Sequence, residues 1–186
     1  MENIEIKARI HDIDRVIVKA KELSNNDEKI IKQHDVFFNA TKARLKLRKF
    51  EDGTAELISY TRPNVTGPKI SVFDKAFIHA DTVDLIEHIL SDSIGVMGVV
   101  KKTRHLYMVD RTRIHIDNVY DLGSFIELEV MMRSDNSNIT DCDRKTAEKI
   151  ATDLMQALSI KEEDLIAEAY IDILSRKNCE NKMNAT

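Results

Sequence analysis

The 186-residue chain has no tryptophan, two prolines, five glycines and two cysteines, and aromatic residues are only 5% of it. Each scarcity excludes something. Cys142 and Cys179 have no CxxC partner and no metal-type spacing, so both read as reduced thiols rather than as a disulfide framework or a thiolate site. Without tryptophan, and with few other aromatics, a stacking groove for single-stranded nucleic acid is not expected. A basic excess is also missing, with 28 Lys and Arg against 32 Asp and Glu and a net charge of −4, so no nucleic-acid partner is expected. No apolar run approaches a membrane span. The opening MENIEIKARI lacks the basic-then-apolar pattern of a signal peptide. A cytoplasmic protein with no membrane partner is therefore expected, and its N-x-[ST] sequons at Asn39, Asn64, Asn138 and Asn184 should stay unmodified.

What remains is 42% hydrophobic and 32% charged, enough to build a core in a soluble domain. One domain is expected over 1–175, followed by a polar, disordered tail over 176–186. NIEIKARI alternates apolar and polar residues and reads as a strand. A helix should follow, with apolar positions 13, 16, 17, 20 and 23. KQHDVFFNA reads as a strand and turn. ARLKLRKF and AELISYTR flank the turn EDG as a hairpin. PNVTGPK holds both prolines and reads as a loop, and KISVFDKAFIH as a strand. Asp81 is placed to cap a helix over about 82–93, with Gly95 past its end. GVVKKTRHLYMV, RTRIHIDNV and SFIELEVMMR form a strand meander. Thr140 opens a helix, and another is expected over about 162–174. The result is an α+β domain whose seven or eight antiparallel strands can close into a barrel and so avoid exposed edges.

The strand faces are unusual. One face of each is apolar, while the other carries Glu5 and Lys7, then Arg44, Lys46 and Arg48, then Tyr60 and Arg62, then Lys102 and Arg104. Arg113, His115 and Asp117 follow, then Glu127 and Glu129. A single such strand would simply face water. Together they segregate sign, with a wholly basic hairpin and a wholly acidic ELE, which a merely soluble surface would mix. If these faces point into the barrel, the clustered cations need a multivalent anion, and arginine's planar fork suits phosphate oxygens. The carboxylates beside them need an intervening cation such as Mg²⁺ or Mn²⁺. A metal-bound polyphosphate fits both requirements.

With these residues in view, the chain resembles the CYTH superfamily, the triphosphate tunnel metalloenzymes. The resemblance runs over about 3–174 through NIEIKA, DVFFN, RLKLR, ELISYTRP, GPKIS, KKTRHLY, TRIHIDNV, LGSFIELEV and AYIDIL. It is nearest in wording to the class IV adenylyl cyclase-like branch, animal members included. It implies a closed antiparallel eight-stranded barrel forming a tunnel, with helices outside. It also implies that Lys7, Arg44, Lys46, Arg48, Arg62, Lys102, Arg104 and Arg113 hold triphosphate oxygens, with Lys69 reaching the substrate from a mobile loop at the mouth. Glu5, Glu127 and Glu129 would hold Mg²⁺ or Mn²⁺, with Asp117 close by; Lys7 and Glu129 would act in catalysis. The family signature E-x-E-x-K is met here by Glu5 and Lys7, but Asn3 stands at its first position, which removes one carboxylate from the metal-binding end.

The activity implied is conversion of a nucleoside triphosphate into a cyclic nucleotide and pyrophosphate. A triphosphatase acting on tripolyphosphate, thiamine triphosphate or a nucleoside triphosphate is the alternative, and a non-catalytic polyphosphate-binding module the next. His115, between Arg113 and Asp117, is a candidate proton acceptor; a hydrogen-bonded barrel histidine is the plainer reading. His34 reads as packing, and His11, His79, His88 and His105 show no metal spacing. The sequence leaves monomer and homodimer open.

Overall fold

The computed structural model describes residues 1–132 and 139–184. Arg133 of the expected meander, the sequon at Asn138 and the last two residues lie outside the described residues. In chain order the elements are β1 (Glu2–Arg9), α1 (Ile13–Leu23), β2 (Lys29–Phe38), β3 (Arg44–Lys49), β4 (Ala55–Thr61) and β5 (Lys69–Ile78). Then come α2 (Val83–Ile94), β6 (Val96–Val109), β7 (Thr112–Val119), β8 (Gly123–Met131), α3 (Asp141–Ala157), a 3-10 turn (Glu162–Asp164) and α4 (Tyr170–Asn184). The strands close into a barrel in the order β1-β5-β4-β3-β2-β6-β7-β8, every ladder antiparallel.

The period-2 pattern of β1, β7 and β8 turns their apolar face outward, so the main core lies between barrel and helices. Ile4 and Ile6 of β1, Ile114 and Ile116 of β7, and Ile126 and Leu128 of β8 are buried beneath α1 and α3. Each contributes about 1.5–3 kcal/mol by leaving water. A smaller cluster of Val36, Phe38, Leu47 and Ala55 packs under Val83 of α2. Two local signals fix helix starts: the Asp12 side chain accepts from Arg15 N at 3.1 Å, and Thr140 with Asp143 forms a reciprocal capping box.

Three expectations fail locally. The residue preceding α2 is Thr82, not Asp81, and its hydroxyl donates back to the His79 carbonyl at 3.0 Å instead of capping the helix. The expected helix over 162–174 breaks into the 3-10 turn, an irregular stretch and α4. Residues 165–169 stay outside any helix because barrel groups compete for their backbone: Leu165 bridges Ala8, and Ile166 N donates to the Lys7 carbonyl at 2.8 Å. Finally, α4 continues to Asn184, through most of the segment expected to be disordered. Its side chains tie back to the body, with Arg176 donating to Glu168 Oε1 at 2.5 Å and Lys177 to the Asp121 carbonyl.

Candidate active site in the barrel lumen

Inward positions follow from the alternation. β1 turns in Asn3, Glu5 and Lys7; β6 turns in Val100, Lys102 and Arg104. Arg113 and His115 of β7 and Glu127 and Glu129 of β8 complete that half of the wall. Across the lumen β2 contributes Ile31, Gln33, Asp35 and Phe37, β3 contributes Lys46 and Arg48, and β4 and β5 add Ile58, Tyr60 and Phe73. They enclose a cavity of about 310 Å³.

One end of the lumen is closed by the segment from Leu165 into α4. Its carbonyls face inward: Ala167 O accepts from Arg62 Nη1 at 2.9 Å, Ile166 O from Lys69 at 3.3 Å and Glu168 O from Lys7 at 3.5 Å. The Tyr170 ring lies 3.9 Å from Lys7 Nζ and 5.0 Å from Lys102 Nζ, a cation–π arrangement, and its hydroxyl donates to Asp117 Oδ2 at 3.1 Å. Ile171 fills the space left by Gly98, where a Cβ would meet its Cδ1 at 2.8 Å. At the opposite end Phe50, Glu56, Phe73 and Arg113 are half-buried and Lys75 is exposed, so the lumen opens there.

The buried charges are paired through a few hubs. Asp35 accepts from Arg48 Nε and Nη2 and from Lys46 Nζ, all at 2.8 Å. Burial alone would raise the Asp35 pKa, but the two cations hold it well below the usual carboxylate range. Asp117 accepts from Arg104 at 2.6 Å through both oxygens and from Lys102 at 2.9 Å. Glu127 pairs with Lys7 at 2.8 Å and with Arg104 at 2.7 Å; burial opposes its ionisation, and these cations overcome it. Burial pushes Lys46 down to about 8, with Arg48 adding repulsion.

Five buried side-chain atoms among the described residues have no hydrogen-bond partner: Asn3 Oδ1, Glu5 Oε1, Gln33 Oε1, Arg62 Nη2 and His115 Nδ1. All five residues line this one cavity. An orphaned buried polar atom costs about 1–3 kcal/mol, so their convergence marks a place built for a ligand. His115, Glu127 and Glu129 bring ligand atoms within 4.8 Å of one another. Burial pushes His115 down, and Arg104 adds to this, so its imidazole is neutral and fit to ligate or to accept a proton. Burial also raises Glu5, and the neighbouring Glu127 raises it further; a carboxylate so placed gains from a nearby cation. Together with the oxygen of Asn3, this donor set of carboxylates, an amide oxygen and an imidazole fits Mg²⁺ or Mn²⁺.

Most of the residues singled out by sequence do meet here: Glu5, Lys7, Lys46, Arg48, Arg62, Lys102, Arg104, Arg113, His115, Glu127 and Glu129 all line the cavity. Three do not. Lys69 is the first residue of β5, not part of a mobile loop; it is buried at the closed end and bound to the carbonyls of Val65 and Ile166. Arg44 pairs with Asp172 of α4 at 2.6 Å. Asp117 is fully buried and saturated by Lys102, Arg104 and Tyr170, so it acts as a hub behind the cavity rather than as an open ligand. Sequence reasoning missed Asp35 and Gln33. Both could have been found from the alternation of β2, since Val36 and Phe38 pack under α2 and their neighbours must face the lumen.

Comparison with known proteins agrees with the barrel fold. The CYTH domain family matches residues 1–170. A Methanocaldococcus jannaschii protein named "Putative adenylate cyclase MJ0240" is 28% identical over 93% of this chain and 98% of its own length. The structure of PH1012 from Pyrococcus horikoshii superposes with a TM-score of 0.72 at 24% identity, covering 91% of this chain and 98% of that one. The adenylyl cyclase-named HpAC1 from Hippeastrum, described as revealing a dominant triphosphatase activity, superposes at 0.61 with 17% identity, covering 94% and 96%.

Proposed function

This chain belongs to the CYTH domain family, and on that premise we propose that it is a metal-dependent enzyme acting on a triphosphate-bearing small molecule held in the barrel lumen. One observation carries the reading: five buried, unpartnered polar atoms converge on a cavity whose walls hold Lys7, Lys46, Arg48, Arg62, Lys102 and Arg104. Arg62 Nη2 is a donor left for a phosphate oxygen, while Asn3 Oδ1, Glu5 Oε1 (3.6 Å from Arg62 Nε) and His115 Nδ1 (3.7 Å from Glu129 Oε1) make no hydrogen bond on the side where a cation would sit. Lys46, Arg48, Lys102 and Arg104 exchange part of their pairing with Asp35 and Asp117 for phosphate oxygens, as charge-assisted bonds to a multivalent anion permit.

Because residues 165–172 cover one end, the phosphate chain enters from the end marked by Arg113, Phe73 and Lys75. Its terminal phosphate then lies nearest Lys7, Lys102 and Arg62, and its α-phosphorus nearest Glu129 and His115. That orientation favours cyclisation: the ribose 3′-hydroxyl attacks the α-phosphorus, its proton passes to His115 Nδ1, and pyrophosphate leaves against the deep cations. Glu5, Glu127 and Glu129, with Asn3 beside them, would hold Mg²⁺ or Mn²⁺, which would supply charge neutralisation and polarise the phosphorus–oxygen bonds. Lys7 positions phosphate oxygens and holds Glu127 ionised.

A second reading, hydrolysis of the terminal phosphate, is favoured by the fold shared with the Hippeastrum protein and its dominant triphosphatase activity. A product-resolved assay with ATP, GTP, tripolyphosphate and thiamine triphosphate, under Mg²⁺ and then Mn²⁺, decides between them. Cyclic nucleotide with pyrophosphate is the expected outcome; orthophosphate makes the protein a triphosphatase. Tripolyphosphate binding with no product from any substrate leaves a binding module and ends the enzyme reading.

A further inference from the structure

The outside of the barrel is covered in two places. α1 and α3 lie over β1, β7 and β8, and Val83 of α2 packs on Val36 and Leu47, direct ladder partners in β2 and β3. Two residues along each strand the second cover stops. The next outward row is Lys49 of β3, His34 of β2 and Lys101 of β6, with His34 directly opposite both lysines. Adjacent strands lie about 4.8 Å apart, so the three basic residues span only about 10 Å. Like charges placed directly opposite are destabilising. His34 registers that cost: burial holds its pKa below the ordinary value, and Lys49 and Lys101 lower it further.

The row lines a cavity of about 710 Å³ on the outer side of the wall. Small-molecule sites measure about 300–1,000 Å³. Its far side is the turn between β3 and β4, with Ala80 and Val83. That turn is internally fixed: Phe50 N donates to the Thr54 carbonyl at 2.9 Å, and Thr54 N to Asp52 Oδ1 at 2.9 Å. Nearby carboxylates serve other cations, Glu51 pairing with Lys32 at 2.8 Å and Glu87 with Lys49 at 2.5 Å, while Asp84 sits in the first turn of α2. Lys101 has no side-chain hydrogen bond or ion pair among the described residues. Thr103, Asn118 and Tyr120, lining the same cavity, have side chains equally uncommitted. Thr103 follows Lys101 on the same face of β6 and is the ladder partner of Asn118. Tyr120 N donates to the Lys101 carbonyl at 2.9 Å, which sets its ring, 70% exposed, at the cavity's edge.

We propose that this cavity is a second ligand site, outside the lumen, for a small aromatic phosphate monoester. Its phosphate is held by Lys101, His34, Thr103 and Asn118, and its ring lies on Tyr120. A phosphate has three terminal oxygens and accepts from all four groups, where a carboxylate would leave donors unused. An anion between His34 and Lys101 also offsets the repulsion within the row, and the ring covers an aromatic face that the fold leaves in water. None of these side chains lines the lumen, so the proposal stands apart from the triphosphate reading.

Titrations of the metal-free protein with phenyl phosphate, inorganic phosphate and benzoate, followed by the histidine ring resonances in NMR spectra, test this. Phenyl phosphate is expected to shift the His34 resonances with a Kd below about 1 mM. Inorganic phosphate and benzoate should each bind about tenfold more weakly, since each keeps only one half of the contact. Lys101→Glu should weaken phenyl phosphate by about tenfold or more, and Lys101→Gln by less. Tyr120→Ala should remove the advantage of phenyl phosphate while leaving inorganic phosphate within about twofold. Both positions are exposed, and an unchanged unfolding midpoint shows that the variants are folded. Raising the salt concentration should weaken binding, because the cations are near the surface. If His34 stays in place as phenyl phosphate is added, or if Lys101→Glu binds it as tightly as wild type, the proposal is overturned. Tripolyphosphate with Mg²⁺ reports on the lumen through His115, so failure at one site is read separately from failure at the other.

Discussion

Along β6, β7, β8 and β1 the lumen face is charged almost without interruption, and the charges share partners. Arg104 bonds both Asp117 and Glu127, and Glu127 also holds Lys7. Along β2 to β5 charge is concentrated instead: Asp35 alone accepts from both Lys46 and Arg48, and aromatic and aliphatic side chains surround them. The difference concerns redundancy. In the shared network Arg104 has a second carboxylate to fall back on, whereas losing the Asp35 hub leaves two buried cations unpaired.

The contrast breaks most directly at its hubs. Asp35→Asn is expected to lower stability in urea unfolding by about 3–5 kcal/mol, since Arg48 and Lys46 stay buried without a counter-charge. Glu127→Gln should cost less, about 1–3 kcal/mol, because it leaves one buried cation, Lys7, without a carboxylate rather than two, while Arg104 keeps Asp117. Equal costs, or the reverse order, would show that redundancy is not what distinguishes the two walls. Asp35 also sets a pH limb. Its folded pKa lies below the ordinary value of 3.8, so its stabilisation is complete above that value and is lost as pH falls towards the folded one. The Asn variant should lack this limb in acid unfolding.

A smaller effect separates chemistry from binding. Glu129→Gln should lower turnover by about a hundredfold while leaving tripolyphosphate affinity within about threefold, because Glu129 faces the metal side and not the deep cations. Steady-state kinetics beside calorimetry reads both, and an unchanged rate at limiting Mg²⁺ removes Glu129 from the site. The smallest expected effect sharpens the β2–β5 side. Burial holds Lys46 near 8, so tripolyphosphate affinity should fall as pH rises through that value and the lysine loses its charge. The fall approaches about tenfold per pH unit for one titrating group. Lys46→Arg should flatten that slope; an unchanged slope assigns it to Lys102, which burial also pushes down.

Much of this was legible in the chain. RLKLRKF and FIELE declare by alternation alone which residues share a face, and their opposite signs point inward when taken together. The EDG turn marks the hairpin, and Arg44, Lys46 and Arg48 do lie on one strand facing Tyr60 and Ile58. Other residues were misread for reasons that local pattern does not carry. AEAYIDIL has helical spacing, yet residues 165–169 are not helical because Lys7, Arg62 and Lys69, far away in sequence, take carbonyls of this stretch. Lys69 follows a proline–glycine stretch that reads as a loop, but it is the first pairing residue of β5, opposite Glu5.

The sequence by itself determined the two-faced strands, the sign carried by each and the neutral Asn3 at the head of the first, because a period of two and a residue's charge are local properties. Only the tertiary structure decided which carboxylate each cation holds, which end of the lumen is shut and that one wall is apolar. Those depend on barrel closure, which brings β8 beside β1 and lays residues 165–172 across the opening. Coulomb energy and burial act on distance in space, and only the closed barrel sets those distances.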